Sequence, residues 1–248
     1  MDDGHGFLRA LYLERDRIPS PDAYPFSIPA IRELPELALD RKVTFFVGDN
    51  GAGKSTLIEA LAVACGFNAE GGTTNFNFAT RRSESELHAY IRVVKGVRRP
   101  TAGFFLRAES FYNVATAMEN LGVQYGEASM HAQSHGESFL ALARDGFRDN
   151  GLYLLDEPEA ALSPQRLLSL LAIIHRLVET TGSQFVIATH SPILMAYPGA
   201  RIYQLDAAGI APTTYEETEH FRITRDFLNH RESYFANLFG APEADSES

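Results

Sequence analysis

Cysteine is nearly absent: Cys65 is the single one in 248 residues. That excludes a disulfide framework and a zinc site built on cysteines. Cys65 stands in an apolar run and reads as a core residue. Long hydrophobic runs are missing too. No apolar stretch reaches the ~18 to 20 residues of a membrane span, so membrane insertion is not expected. The start, Met1-Asp2-Asp3-Gly4-His5, is acidic and does not resemble a signal peptide. These absences lead to the expectation of a soluble, cytoplasmic chain. Positive charge is in deficit: 22 Lys and Arg stand against 32 Asp and Glu, a net charge of -10. That weighs against nucleic acid as the main partner. The basic clusters are Arg81-Arg82 and the set Arg92, Lys95, Arg98 and Arg99, which fit either solvated surface or a local nucleic-acid contact. No internal repeat or sustained heptad pattern occurs. Apolar residues are plentiful at 45 %, enough for the core of one large α/β domain or two small ones.

Against that background one stretch stands out: Gly48-Asp49-Asn50-Gly51-Ala52-Gly53-Lys54-Ser55-Thr56. It fits the phosphate-loop pattern G-x-x-x-x-G-K-[ST] without a mismatch. Several backbone N–H groups must converge on one phosphate, and the three glycines let the loop turn tightly enough to aim them. Lys54 is placed to give a positive charge to the β- and γ-phosphates, and the Ser55 hydroxyl is placed for Mg²⁺. The following helix adds about half a positive charge at its N-terminus. Context supports the match. Residues 42–47 are β-branched and aromatic, as a buried strand should be. Residues 56–65 read as a helix that Gly66 ends. A chance match is expected in about one random chain of this length in a hundred.

Elsewhere, residues 7–13 read as an opening strand. Residues 19–29 carry four prolines and read as an irregular loop. Tyr24 or Phe26 in that loop could stack on adenine or pack in the core. Residues 36–39 and 42–47, joined at Asp40-Arg41, suggest a hairpin. Residues 67–80, rich in Gly, Asn and Thr, read as a loop near the nucleotide. Residues 83–97 fit helix or strand, 104–107 a short strand, and 111–121 a helix. A helix over 138–143 is opened by Gln133-Ser134-His135-Gly136-Glu137, with Phe139, Leu140 and Ala143 on one face. Residues 151–155 form an apolar strand that runs into two carboxylates, Asp156 and Glu157. Ser163-Pro164 is a cap and first-turn signal for a helix to about Thr181, with Leu167, Leu168, Leu171, Ile174 and Leu177 at helical spacing and Gly182 after it. Residues 184–189 read as a buried strand with His190 at its tip, and 201–205 as another. The strand–helix–strand order implies a right-handed parallel crossover. Residues 218–239 read as one or two amphipathic helices.

Together these pieces resemble the ABC-type ATPase head, in the branch that holds RecF, SMC-like and OLD-type proteins. The resemblance covers residues 34–205. It rests on the order and spacing of the loop, Ser134, Asp156-Glu157 and His190. The wording Leu155-Asp156-Glu157-Pro158-Glu159-Ala160-Ala161-Leu162-Ser163-Pro164, followed by Thr189-His190-Ser191-Pro192, is closer to OLD-type members than to transporters. The resemblance implies an α/β P-loop NTPase: a mainly parallel sheet, an N-terminal antiparallel β part and a small helical insertion before the signature motif. The chain as a whole is expected to divide into an ATPase domain over 1–217, a helical tail over 218–240 and a disordered end over 241–248. Asp156, with Ser55, would hold Mg²⁺. Glu157 would be the general base and His190 would contact the γ-phosphate or the water. Ser134 and Gly136 would bind the γ-phosphate held by a second subunit in an ATP-dependent homodimer.

The chain departs from the pattern in three places, one of them the turn after Glu157, which usually ends in Asp where Ser163 stands, as is common in the OLD-like branch. The signature is usually Ser-Gly-Gly-Gln; here it is Ser134-His135-Gly136-Glu137. The place of a glutamine that usually follows the third strand holds Arg107, so Arg107 or Glu109 would take its role, an arginine being suited to phosphate. His131 and His135, four apart, could share a helix face as a metal pair, but no third ligand lies nearby. The short span between Arg107 and Ser134 leaves no room for a coiled-coil arm, and no Asp-x-Asp follows Leu205, so a bare ATPase head is expected. Three functions stay open: an ATP-driven dimer switch in DNA repair or phage defence, with DNA or a protein as a possible effector; an ATPase subunit of a larger assembly, with a separate effector chain or as a transporter motor; and a weakly hydrolysing nucleotide sensor.

Overall fold

The computed structural model describes residues 6–73, 85–107 and 135–240. Ser134, Glu109, Arg81, Arg82, His131, the helix expected at 111–121, the insertion before the signature and the end at 241–248 lie outside the described residues. The main sheet holds six strands in the order β5-β6-β7-β3-β8-β9. They are β3 (Val43–Val47), β5 (Ala102–Arg107), β6 (Gly151–Asp156), β7 (Gln184–Ala188), β8 (Arg201–Asp206) and β9 (Gly209–Thr213). Every neighbouring pair is parallel except β8–β9. A second, antiparallel sheet places β1 (Leu8–Leu13) between β2 (Leu37–Ala38) and β4 (Ile91–Lys95).

The strands β3, β6 and β7 are buried along their whole length because both faces are covered. Val43, Phe45, Val47, Tyr153, Leu155, Phe185 and Ile187 face one apolar cluster. Phe46, Leu152, Leu154, Val186 and Ala188 face the other. The period of two along each strand sends alternate residues to opposite layers. Helix α2 (Lys54–Cys65) covers one face through Leu57, Ile58 and Leu61. Helix α4 (Pro164–Thr181) covers the other through Leu167, Leu170, Ile174 and Leu177. Each such side chain contributes about 1.5–3 kcal/mol by leaving water. Leu168, expected among the apolar set of α4, is 59 % exposed. It lies one position, about 100°, off the stripe that begins at Leu167. Gly182 ends α4 in the left-handed conformation, as expected.

The hairpin expected from 36–39 and 42–47 does not form. β2 pairs with β1, with Ala10 opposite Ala38, while β3 lies between β7 and β8. A five-residue strand apolar on both faces belongs in the centre of the parallel sheet, so the chain changes sheets at Asp40-Arg41. The two sheets are joined by Gln184, fully buried at the start of β7. Its Oε1 accepts from the Leu8 N–H at 2.9 Å, and its Nε2 donates to Leu8 O at 3.0 Å and Leu39 O at 2.6 Å. Of the region 83–97, the described residues from 85 on form a 3-10 turn at Glu86–Ala89 followed by β4. The remaining helices are α1 (Pro29–Arg32), α3 (His135–Ala141), α5 (Pro192–Met195) and α6 (Glu219–Phe239). α3 starts earlier than the expected 138–143 and passes into a π-helical turn at Leu142–Gly146. Among the described residues no helix is long and apolar enough to cross a membrane.

Candidate functional site

Neighbouring strands β6, β7 and β3 end at the same edge of the sheet, and three segments follow them there: Asp156-Glu157, Thr189-His190 and the loop from Gly48. The carboxyl edge of a parallel sheet is where such folds bind ligands. Gly48 has φ of +146°, and a Cβ there would meet Leu205 O at 2.1 Å. Only glycine can turn the chain out of β3 beneath β8. Lys54, 3 % exposed, folds back so that its Nζ donates to Gly48 O at 2.8 Å and Asp49 O at 3.0 Å. Burial lowers its pKa, against the opposing pull of Glu157, Asp156, Glu159 and Asp49. The lysine thus lies inside a ring of acceptors and carboxylates, a setting that a polyphosphate can share. An open cleft of roughly 490 Å³ runs beside the loop, between Asp49–Ala52 and Gln204–Ala207.

The Ser55 hydroxyl donates to Asp156 Oδ1 at 3.0 Å. Asp156 is 5 % exposed, and its carboxyl is pushed up to about 7, chiefly by burial. Glu157 adopts a left-handed backbone conformation, φ +48° and ψ +52°, which costs a side-chain-bearing residue about 1–2 kcal/mol. The Glu157 N–H, donated to Ala188 O at 2.9 Å, holds it there. The turn directs Glu157 Oε1 to within 3.1 Å of His190 Nε2. Strain of this kind, maintained by the surrounding structure, is common at functional sites. Lys54, Ser55, Asp156, Glu157 and His190 are therefore brought together as the sequence motifs require.

Two family models match the chain. Residues 27–115 match one described as "AAA domain", and residues 129–196 match one described as "AAA domain, putative AbiEii toxin, Type IV TA system". The SMC head domain from Thermotoga maritima aligns with a TM-score of 0.46 at 14 % identity, over 84 % of this chain and 99 % of that one. Thiamine import ATP-binding protein ThiQ of Cereibacter sphaeroides is 31 % identical over 164 residues, 59 % of this chain and 69 % of the relative. ThiQ of Brucella abortus is 30 % identical over 189 residues, 68 % of this chain and 76 % of the relative. The chain belongs to the ABC-type P-loop ATPases.

In this ABC-type ATPase Gly136 and Glu137, from the segment read as a signature, lie in α3. A Cβ on Gly136 would meet Ala161 O at 2.6 Å and Arg166 Nη1 at 2.7 Å. The glycine lets α3 press against the turn that follows Glu157. The unusual Glu137 has a partner that explains a carboxylate there: Arg166 of α4 donates to its Oε1 at 2.9 Å. Arg107 ends β5 opposite Asp156 and pairs with the buried Glu59 at 2.8 Å. Its charge also draws the Asp156 carboxyl down. Phe26 is buried and meets Tyr90 edge-on at 5.0 Å, so it packs in the core, while Tyr24 is 67 % exposed. Cys65 packs against the core, and its thiol is pushed up to about 12 by burial. Ser55 and Asp156 offer hard oxygen donors at adjoining positions, a set that fits a magnesium ion.

Three residues of the site escaped the sequence reading. Glu159 Oε1 accepts from Thr189 Oγ1 at 2.7 Å and from the His190 backbone N–H, and so fixes the segment that carries the imidazole. Thr189 Oγ1 in turn accepts from the Ser191 N–H at 3.0 Å. Glu159 and Thr189 lie inside the motif wording, so their proximity to Glu157 and His190 was a usable signal. The third, His220 from α6, places Nε2 3.1 Å from His190 Nδ1. No motif announces it.

Proposed function

We propose that this ATPase works as a nucleotide-driven switch in which two heads close on ATP head to tail and reopen after hydrolysis. The observation that carries the reading is the 3.1 Å contact between Glu157 Oε1 and His190 Nε2, at adjoining strand ends beside the buried loop lysine. Asp49, Asn50, Gly51, Ala52, Gly53 and Thr56 frame the phosphates, and Lys54 gives its ammonium to the β- and γ-phosphate oxygens. Ser55 and Asp156 would hold Mg²⁺, which would supply positive charge to the phosphates. Glu157 orients the attacking water and accepts its proton. His190 donates from Nε2 to the terminal phosphate, and Arg107 steadies the same edge from β5. Ser134 and Gly136 of one chain close on the ATP of the other. The γ-phosphate favours the closed pair because it touches both chains, which ADP cannot do. The head occupies 1–217 and carries 218–240 as a helical tail.

The test is Glu157→Gln. Turnover should fall by about a hundredfold or more, the range of a lost general base. ATP binding should persist, and the variant should run as a dimer in ATP by mass measurement. Undiminished turnover would remove Glu157 from the role of base. The likeness to ThiQ favours a second reading, in which the chain is the ATPase subunit of a larger assembly. Copurification with a membrane protein supports that reading, whereas a rise in turnover with double-stranded DNA supports a DNA-linked switch.

A further inference from the structure

The tail helix supplies the catalytic edge with a second imidazole. The first turn of α6 is firmly seated: Thr218, just before it, is fully buried, and its Oγ1 donates to Tyr215 O at 2.7 Å. A capping box joins Thr214 and Glu217, and the Tyr215 and Phe221 rings lie 4.3 Å apart. His220 stands in this anchored turn. Its ring meets that of His190 edge-on, 5.1 Å between centroids, with Nε2 3.1 Å from His190 Nδ1.

Hydrogen placement follows from partners. The Nδ1 of His220 is buried and has no hydrogen-bond partner among the described residues. A proton there would leave a buried N–H without an acceptor, and would make His190 Nδ1 the donor, taking the proton from the nitrogen that faces the Glu157 carboxylate. The His220 proton therefore sits on Nε2, and that N–H donates to His190 Nδ1. His190 then carries its own proton on Nε2, the nitrogen that faces the Glu157 carboxylate, which can only accept. Burial and the neighbouring His190 both lower the His220 pKa, which agrees with a neutral ring. The other charged groups that bear on His220 are Asp49 and Lys54 of the phosphate loop and Glu219 of its own helix.

We propose that His220 is a positioning residue that holds His190 in the tautomer whose Nε2–H faces Glu157 and the terminal phosphate. This rests on the reading of His190 given above. The partner of the inactive nitrogen commonly sets the tautomer of a working imidazole. The tail is thereby tied to the hydrolytic edge by one hydrogen bond.

The test joins nitrogen NMR of the ¹⁵N-histidine-labelled full chain with ATP turnover. Wild-type His190, assigned by loss of its signals in His190→Gln, should show the Nε2-protonated tautomer. His220→Phe should shift His190 toward the other tautomer and lower kcat by about tenfold, the scale of outer-shell partners of histidine, with KM for ATP within about twofold. His220→Gln keeps an N–H near the position of Nε2 and should restore most of kcat. Wild-type His190 protonated on Nδ1 overturns the proposal, and that measurement needs no substitution at His220. Unchanged tautomer and kcat in His220→Phe also overturn it, as does a His220→Gln variant as slow as His220→Phe. If His190→Gln instead retains wild-type turnover, the reading of His190 fails, while the tautomer data still decide the link to His220.

Discussion

Strands β3, β6 and β7 bury every residue, whereas α6 buries none, yet both deliver an imidazole to the same point. The difference lies in how each is held. A central parallel strand is fixed by hydrogen bonds to both neighbours and by apolar layers above and below. The residues at its end, Gly48, Asp156 or His190, inherit that rigidity. Helix α6 is held at its first turn, by Thr218 and the Tyr215–Phe221 contact, and then runs on with Ile223, Leu228, Leu238 and Phe239 exposed. One region obtains precision from its whole length, the other from four or five residues. Substitutions in the two regions should therefore fail in different ways.

The largest effect is expected at the loop. Gly48→Ala brings a Cβ to within 2.1 Å of a backbone oxygen at a φ that side-chain-bearing residues rarely adopt. The combined strain and overpacking should cost about 3–5 kcal/mol. ATP turnover should be lost and the melting temperature should fall by about 10 °C. Gly51→Ala sharpens the comparison. Its φ is +81°, but nothing lies within 4 Å of the added Cβ, so the cost should be about 1–2 kcal/mol. Equal losses in the two variants would show that φ alone, and not the approach to β8, makes Gly48 necessary.

This division also explains what the sequence disclosed. The phosphate loop, the two carboxylates and His190 were legible because each is written in a short contiguous run whose flanks signal strand or helix. The parallel sheet followed from strands apolar on both faces. The hairpin at 36–47 failed because Asp40-Arg41 looks the same whether it joins partners or separates two sheets. The partner of β2 is β1, 28 positions earlier at Ala10↔Ala38. Gln184 was invisible for the same reason: its carbonyl partners Leu8 and Leu39 lie 176 and 145 positions away, and a polar residue at a strand start has no period to betray it. His220 lies 30 positions from His190 on a helix whose pattern says only that it is amphipathic.

A middle effect is expected at that hidden glutamine. Gln184→Ala leaves the Leu8 N–H and the Leu39 carbonyl unpaired in the interior, at about 1–3 kcal/mol each. The melting temperature should fall by about 5–10 °C. Gln184 opens β7, whereas His190 follows its far end, so kcat measured below the melt should stay within about twofold. A large fall in kcat with little loss of stability would mean that the antiparallel sheet governs the catalytic edge as well as bracing it.

The smallest effect is expected at the far end of α6. Leu238 is 67 % exposed, and its replacement by Ser should change stability by no more than about 0.5 kcal/mol. Turnover should be unchanged, although His220→Phe in the same helix should slow it. The helix deviates from helical geometry at His230, φ -133° and ψ +35°, between the anchored turn and this end. That break leaves the distal half without a rigid lever on His220. If Leu238→Ser lowers kcat in the isolated chain, the lever exists despite the break, and the two halves of α6 act as one body. If it lowers kcat only when an effector chain is present, the exposed apolar end is the contact through which that effector reaches the head.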